Sequence, residues 1–308
     1  LLGRPARLVN MAELGRSLTE LDDPKVMALV VYNSNPAAIA PDQNRVLEGL
    51  RRPDLFTVVL EQFQTDTADY ADIVLPVTTF LEHTDVYFAY GHYYLQMARP
   101  ALPAPGETKS NLEIFRELAR RMGFTEPCFR DSEDQMIRQL LSSGHPFLNG
   151  ITLEEIEQRH SVRLNLPAPF QPFAEGRINL DLDDIDYTPP VESRLGDEGL
   201  RARYPLELIT PKIAEGMNST FGNRPGVDQE TGVLSMSGGD AAPRGISAGD
   251  NVRVFNMRGS IVLRAEVNGK VRAGVVSAAS VRWNKRAPDK RNVNVLTSSR
   301  LTDMGGGP

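Results

Sequence analysis

Two periods of hydrophobicity divide this chain. Up to about residue 125, continuous apolar runs alternate with helical spacing. Met11 to Leu21 places apolar side chains at helical intervals, and Val26 to Tyr32 (VMALVVY) is an unbroken apolar run. Such a run is expected of a parallel strand buried on both faces. A polar loop, Asn33-Ser34-Asn35-Pro36, ends it, and Pro41 to Arg51 fits a crossover helix. The run Val58-Val59-Leu60 then stops abruptly at Glu61, Gln62, Gln64, Thr65, Asp66 and Thr67. A brief helical turn (Ala68 to Ala71) leads into Ile73-Val74-Leu75 and Pro76. Strand, loop and helix in this order predict a parallel, doubly wound sheet. Asn111 to Met122 follows as a helix, with Ser110 and Glu113 as a capping box and Gly123 at the C-cap.

The pattern loosens between 126 and 202. Helices are predicted over Ser132 to Leu141 and Leu153 to His160, the second with a Thr152/Glu155 capping box. A proline-rich passage follows, and Thr188 to Arg203 reads as a linker. Asp181 to Asp186 has the outline of a calcium loop but carries Asp186 where an EF-hand requires glycine, so calcium binding is set aside. From 203 to 308 the period shortens to that of strands: Leu206 to Thr210, Asn251 to Asn256, Ser260 to Val267 and Gly274 to Ala278. Met257-Arg258-Gly259 serves as a hairpin turn and Ala241 to Ile246 as a short helix. Many short strands in about a hundred residues suggest a compact barrel. Three regions result: an α/β domain over 1–125, a connecting region over 126–202, and a β-barrel over 203–308.

Composition narrows the function. With 308 residues there is room for two cores, and a net charge of −6 argues against a nucleic-acid surface. No apolar stretch is long enough to span a bilayer. Cys128 is the single cysteine, which excludes an internal disulfide and a cysteine-based metal or iron–sulfur site, and it reads as a buried, inert thiol. The four histidines show no metal-ligand spacing. The chain starts at Leu1 without a signal-peptide shape and stops just after a strand-like run, so it reads as a piece of a longer protein, with the cytoplasm as the default compartment. Neither G-x-G-x-x-G, a Walker A lysine loop nor G-x-S-x-G occurs.

What remains are polar clusters. The Asn33/Asn35 loop and the Glu61–Thr67 loop sit at the C-terminal ends of strands, where open α/β sheets bind nucleotides. Glu61 could accept from a base edge and Thr65 donate to it. Read locally, however, Thr65, Asp66 and Thr67 form a helix N-cap cluster, and that reading stands ahead. Lys212 to Asn223 (KIAEGMNSTFGN) follows the first strand of the β-rich region, and Asn292 to Thr297 lies near the end. Asparagines and glycines in loops are usually turn formers, but an asparagine amide both donates and accepts, as a purine or pterin edge requires.

In this order the pieces resemble the C-terminal portion of the molybdopterin oxidoreductases of the dimethyl sulfoxide reductase superfamily, which includes formate dehydrogenases and periplasmic nitrate reductases. The resemblance rests on Tyr32 to Ala37, on Val58 to Ala68, and on Ala71 to Pro76 followed by Glu82. In the second half it rests on Asp240-Ala241-Ala242, Arg244-Gly245-Ile246, Gly249-Asp250, Val252-Arg253-Val254 and Asn292 to Thr297. It implies a Rossmann-like α/β domain followed by an all-β, double-psi-type barrel. The implied cofactor is a molybdenum or tungsten ion held by two molybdopterin guanine dinucleotides. Glu61, where many relatives have aspartate, and Thr65 would face a guanine or its ribose, with Asn33 and Asn35 near the nucleotide. Lys212, Asn218, Ser219 and Thr220 would lie near phosphates and pterin, and Asn294 would reach the pterin ring. The family's Ser-Gly-Lys turn is replaced by Ala174 to Asn179.

The resemblance further implies that the metal ligand and an iron–sulfur cluster would belong to an N-terminal region that this sequence does not contain. That region would be one partner, an electron-transfer subunit another, and the chain alone would have no turnover. The competing readings are a non-catalytic assembly or electron-transfer subunit that lost the metal, and a generic nucleotide-binding α/β protein with an unrelated barrel.

Overall fold

The structure, a computed structural model, describes residues 6–171, 187–214, 217–302 and 306–307. The Ala174–Asn179 turn and the whole Asp181–Asp186 loop lie outside them. The chain divides into two compact units, residues 1–74 with 186–308, and residues 75–185.

In the first unit, a short 3-10 turn at Met11–Glu13 runs into α1 (Leu14–Glu20). β1 (Ala28–Tyr32) pairs in parallel with β2 (Phe56–Glu61), register Ala28↔Phe56 to Tyr32↔Leu60. Between them lie α2 (Pro36–Ile39), with proline in its first turn, and α3 (Gln43–Leu50). β3 (Ile73–Pro76) takes the other side of β2. Leu18, Val46, Leu47 and Leu50 form the core between the helices and the sheet, and Val31, Val59 and Ala68 a smaller one. Gly49 is needed there, because a Cβ at this position would lie 2.4 Å from Leu18 Cβ. β1 departs from expectation. Among the described residues it pairs only with β2, and Val30 and Tyr32 are 50% and 51% exposed, so the unbroken apolar run is an edge strand with one open face.

The second unit opens with a hairpin that the sequence reading did not assign, β4 (Asp85–Ala89) and β5 (His92–Ala98). Three helices follow: α4 (Asn111–Arg121), α5 (Glu133–Leu141) and α6 (Leu153–Arg159). β6 (Ser161–Arg163) then joins β5 in the order β4-β5-β6. Leu95, Ile137, Leu153 and Ile156 lead its core. Both arms of the Ser110/Glu113 capping box form, and Gly123 takes φ +77° just past α4. Ser132 and Gln135 make a second complete box on α5, whereas Thr152 on α6 makes only the arm that receives the Glu155 N–H. Cys128 is exposed, a correction to the buried thiol expected: residues Pro127–Arg130 form a 3-10 turn at the surface rather than part of a core.

Back in the first unit, α7 (Glu198–Arg203) occupies the end of the expected linker, capped by Asp197. It is followed by β7 (Glu207–Ile209), α8 (Val227–Thr231), β8 (Val233–Met236), α9 (Gly238–Ala241), β9 (Asn251–Phe255), β10 (Ser260–Val267) and β11 (Val275–Ala278). The strands form one five-stranded sheet ordered β7-β11-β8-β10-β9. β10/β9 and β11/β8 are antiparallel, β10/β8 and β11/β7 parallel. Over 203–308 the described residues therefore form a mixed sheet with two short α-helices, α8 and α9, rather than the all-β segment expected. Its core is Leu234, Met236, Ile261, Leu263, Val276 and Val295 with their neighbours.

Candidate functional site

The register of β1 against β2 brings the two polar loops side by side: Tyr32 faces Leu60, so Asn33 and Glu61 begin adjacent loops at the carboxyl end of a parallel pair. Asn33 is exposed and takes the left-handed conformation, φ +53°. Glu61 is half-buried; its Oε1 accepts the Gln62 N–H at 2.8 Å. Burial pushes its carboxyl pKa up, and the backbone N–H groups of Gln62 and Phe63 offset this in part.

The rest of that loop turns inward. Thr65 is 4% exposed, and its hydroxyl receives the Ala68 N–H at 3.4 Å, the local turn chemistry that its composition announced. Asn35, 1% exposed, accepts the Thr67 N–H and hydroxyl through Oδ1 at 3.0 and 2.7 Å. Because a backbone N–H can bond only to the oxygen, this fixes the amide orientation, and it leaves Nδ2 buried without a partner. Two of the residues singled out at strand ends thus reach the surface and two lie beneath it.

Asp66, buried at 3% exposure, is the centre of the arrangement. Its two oxygens accept the backbone N–H groups of Asn284 and Lys285, both at 2.9 Å. Burial raises its pKa, with those two N–H groups and the Lys285 charge acting against the rise. The Lys285 ammonium donates to the carbonyls of Gln64 (2.6 Å) and Thr65 (3.1 Å) and pairs with Asp69 at 2.8 Å. Two residues upstream of Lys285, Trp283 donates its indole N–H to the Ser219 carbonyl at 2.8 Å. Gly222 lies so close beneath the ring that a Cβ would come within 2.4 Å of it. A continuous path therefore joins the Glu61–Thr67 loop, through Asp66 and Trp283, to the 217–222 loop. On that second loop Asn218 (φ +54°) and Thr220 are exposed and Ser219 is half-buried; Lys212 is also exposed.

A second polar layer lies underneath. Gln43, fully buried, donates through Nε2 to the Ala37 carbonyl and to the side-chain oxygens of Asn284 and Asn292, at 2.9 to 3.1 Å. Asn292 and Asn294 both donate to the Ala38 carbonyl, at 2.9 and 2.8 Å. Asn294 is 8% exposed and is held further by Thr297. The Asn-Val-Asn segment thus fastens the C-terminal sheet to α2.

Comparison with known proteins matches two segments of the chain. Residues 6–121 match the family model described as molybdopterin oxidoreductase, and residues 206–308 that of the molydopterin dinucleotide binding domain. The chain belongs to the molybdopterin oxidoreductases. Similar proteins include the probable oxidoreductase YoaE of Bacillus subtilis, 38% identical across all of this chain and 46% of the relative. The alpha subunit of F420-dependent formate dehydrogenase 1 of Methanococcus maripaludis is 27% identical (82% of this chain, 38% of the relative). Dimethyl sulfoxide reductase DmsA of Escherichia coli is also 27% identical (81% and 36%). The chain spans about half or less of the length of these relatives. Among solved structures, acetylene hydratase from Pelobacter acetylenicus superposes with a TM-score of 0.72 at 22% identity, over 94% of this chain and 42% of that one, a likeness of fold.

A dinucleotide cofactor is what this family binds, and the donor set suits its nucleotide end. A half-buried carboxylate offers an acceptor for a ring N–H and amine, and the neighbouring Asn35 Nδ2 is a buried donor still lacking an acceptor. Among the described residues no group of three or more His, Cys, Asp or Glu could hold a metal ion, and no helix is long and apolar enough to cross a membrane. Sequence reading named Asn33, Asn35, Glu61, Thr65 and Asn294 but passed over Gln43, Lys285 and the lone Trp283, and it took Asp66 for a cap. The signal for Trp283 was its being the single tryptophan; the others carry none that local pattern reveals.

Proposed function

We propose that this chain supplies the guanine end and part of the phosphate wall of a molybdopterin guanine dinucleotide site in a molybdenum or tungsten oxidoreductase. The observation that carries this reading is the half-buried Glu61 at the carboxyl end of β2, in a loop tied through Asp66 and Trp283 to the exposed Asn218–Thr220 turn. Glu61 accepts from the guanine N1–H and 2-amine, a pair of donors that adenine does not present. Asn33 flanks the base. Lys212, Asn218, Ser219 and Thr220 meet the phosphates and the pterin side, the ammonium neutralising pyrophosphate oxygens. Asn35, Thr65 and Asn294 act from below, fixing the loops that make contact. When bound, the cofactor supplies two-electron redox chemistry, and the protein's share is to hold and orient it.

The same reading assigns the metal ligand and the iron–sulfur cluster to protein outside this chain, with electrons exchanged through a further subunit in the cytoplasm. It leaves the chain without turnover of its own, and divides it at 1–125, 126–202 and 203–308, with the C-terminal sheet closing as a double-psi barrel. Titration of the purified full-length protein, stripped of cofactor, with GDP and ADP tests it. GDP binds more tightly, and Glu61→Gln weakens GDP about ten- to a hundredfold, the range of a lost charged hydrogen bond, while leaving ADP unchanged. Equal affinity for the two nucleotides in the parent protein would sink the assignment.

A further inference from the structure

The second unit holds a cavity of about 480 Å³ that the reading above does not use. It is lined by Arg116 and Arg120 of α4, by Arg130 and Phe129 of the following 3-10 turn, and by Phe124 between them. Its volume falls within the range of about 300–1,000 Å³ of small-molecule sites. The charge in it is one-sided. Glu117, the acidic residue of the lining, is taken by Lys109, and Glu133 accepts from Arg116 Nη1 at 3.2 Å. Among the described residues Arg120 makes no side-chain hydrogen bond or ion pair, and Arg130 reaches only the Thr125 carbonyl, at a long 3.5 Å. Arg116 Nε and Nη2 are buried with no acceptor at all. Unpartnered buried guanidinium donors are costly, and an anion's oxygens are what they lack. Beside them Phe124 and Phe129 stack, centroids 5.7 Å apart and planes 20° apart, with Phe124 45% exposed and able to present a ring face.

Placement of cations at a helix C-terminus accounts for Arg120 and its neighbour Arg121. It accounts neither for Arg116, which sits mid-helix, nor for Arg130, which lies beyond the helix on another element.

We propose that this cavity is a binding site for a phosphate-bearing ligand with a planar ring, of mononucleotide size. The phosphate lies on the guanidinium groups of Arg116, Arg120 and Arg130 and the ring on the face of Phe124. The site lies wholly in the second unit, and the proposal does not rest on the reading of the Glu61 loop. Calorimetric titration of the purified full-length protein with AMP, and separately with inorganic phosphate, tests the proposal. AMP binds saturably and more tightly than phosphate. Replacing the two exposed arginines together (Arg120→Ala, Arg130→Ala) weakens both probes at least tenfold at an unchanged unfolding midpoint, and Arg130→Ala alone, which leaves α4 intact, weakens both by a smaller factor. Phe124→Leu weakens AMP and spares phosphate. The proposal is overturned if AMP shows no saturable binding, if the arginine variants bind as the parent does, or if Glu61→Gln abolishes the AMP signal and so places the ligand at the strand-end loop.

Discussion

Glu61 carries a cost that its position explains. Its carboxyl is half-buried beside backbone N–H groups and, among the described residues, no cation, and burial raises its pKa above the ordinary 4.5. A carboxyl raised in the folded state binds more protons there than in the unfolded chain, so the charge it must carry at neutral pH destabilises the fold. That penalty is absent below the unfolded value and grows as pH climbs from about 4.5 through the folded value. Glu61→Gln removes it. The variant is therefore expected to equal the parent in urea midpoint at pH 4 and to exceed it at pH 7, while losing guanine affinity, the usual exchange of function for stability at a binding position. A difference between the two proteins that stays flat with pH would show that the carboxylate is not paying for burial. The residue itself was visible in the sequence as a carboxylate ending an apolar run; its solvation was not, because that depends on how the loop after β2 folds back, with the Gln62 and Phe63 N–H groups turned toward the carboxylate.

Among the elements, those governed by local chemistry were legible and those governed by distant partners were not. Ser110 with Glu113 announced α4, and both reciprocal bonds are present, at 2.8 and 3.2 Å. Thr152 with Glu155 announced α6 equally well, yet only the bond from the Glu155 N–H to the threonine forms. Ser110→Ala is accordingly expected to cost about 1 kcal/mol and Thr152→Ala less, measured as shifts in denaturation midpoint. Equal losses would mean that the second arm contributes nothing. β4 and β5 went unassigned because tyrosines and a phenylalanine fall on both faces of the run from Asp85 to Ala98, with Phe88 and Tyr90 exposed, so the two-residue period is blurred. β8 was missed because Val233 to Met236 is only four residues long and is set in order by β10 and β11, which come later in the chain. β1 misled in the opposite sense: its apolar run matches a central strand, whereas pairing leaves it at an edge.

Across the first unit, the two halves that the sequence presents as separate domains are joined by the Gln43 and Ala38 layer and, above it, by one buried carboxylate and one lysine. Asp66 holds the backbone of Asn284 and Lys285, and the Lys285 side chain returns to the carbonyls of Gln64 and Thr65 on either side of the same turn. The two sets of bonds close on one another: each fixes the segment that the other needs. Asp66→Ala leaves two backbone N–H groups without acceptors, a cost of about 1–3 kcal/mol each, reduced by the relief of a buried charge. A net loss of about 2 kcal/mol is expected. Lys285→Met retains the Asp66 bonds and is expected to cost about 1 kcal/mol. Since removing Asp66 releases the segment that carries the ammonium, the double variant should lose less than the sum, with a coupling of at least about 0.5 kcal/mol. Trp283, the single tryptophan, adjoins both and bonds to Ser219, so its emission reports the release directly: a red shift in Asp66→Ala, repeated without further change in the double variant. Strictly additive losses would mean that the carboxylate and the lysine are two separate contacts rather than one clamp, and that the candidate phosphate loop is held independently of the candidate guanine loop.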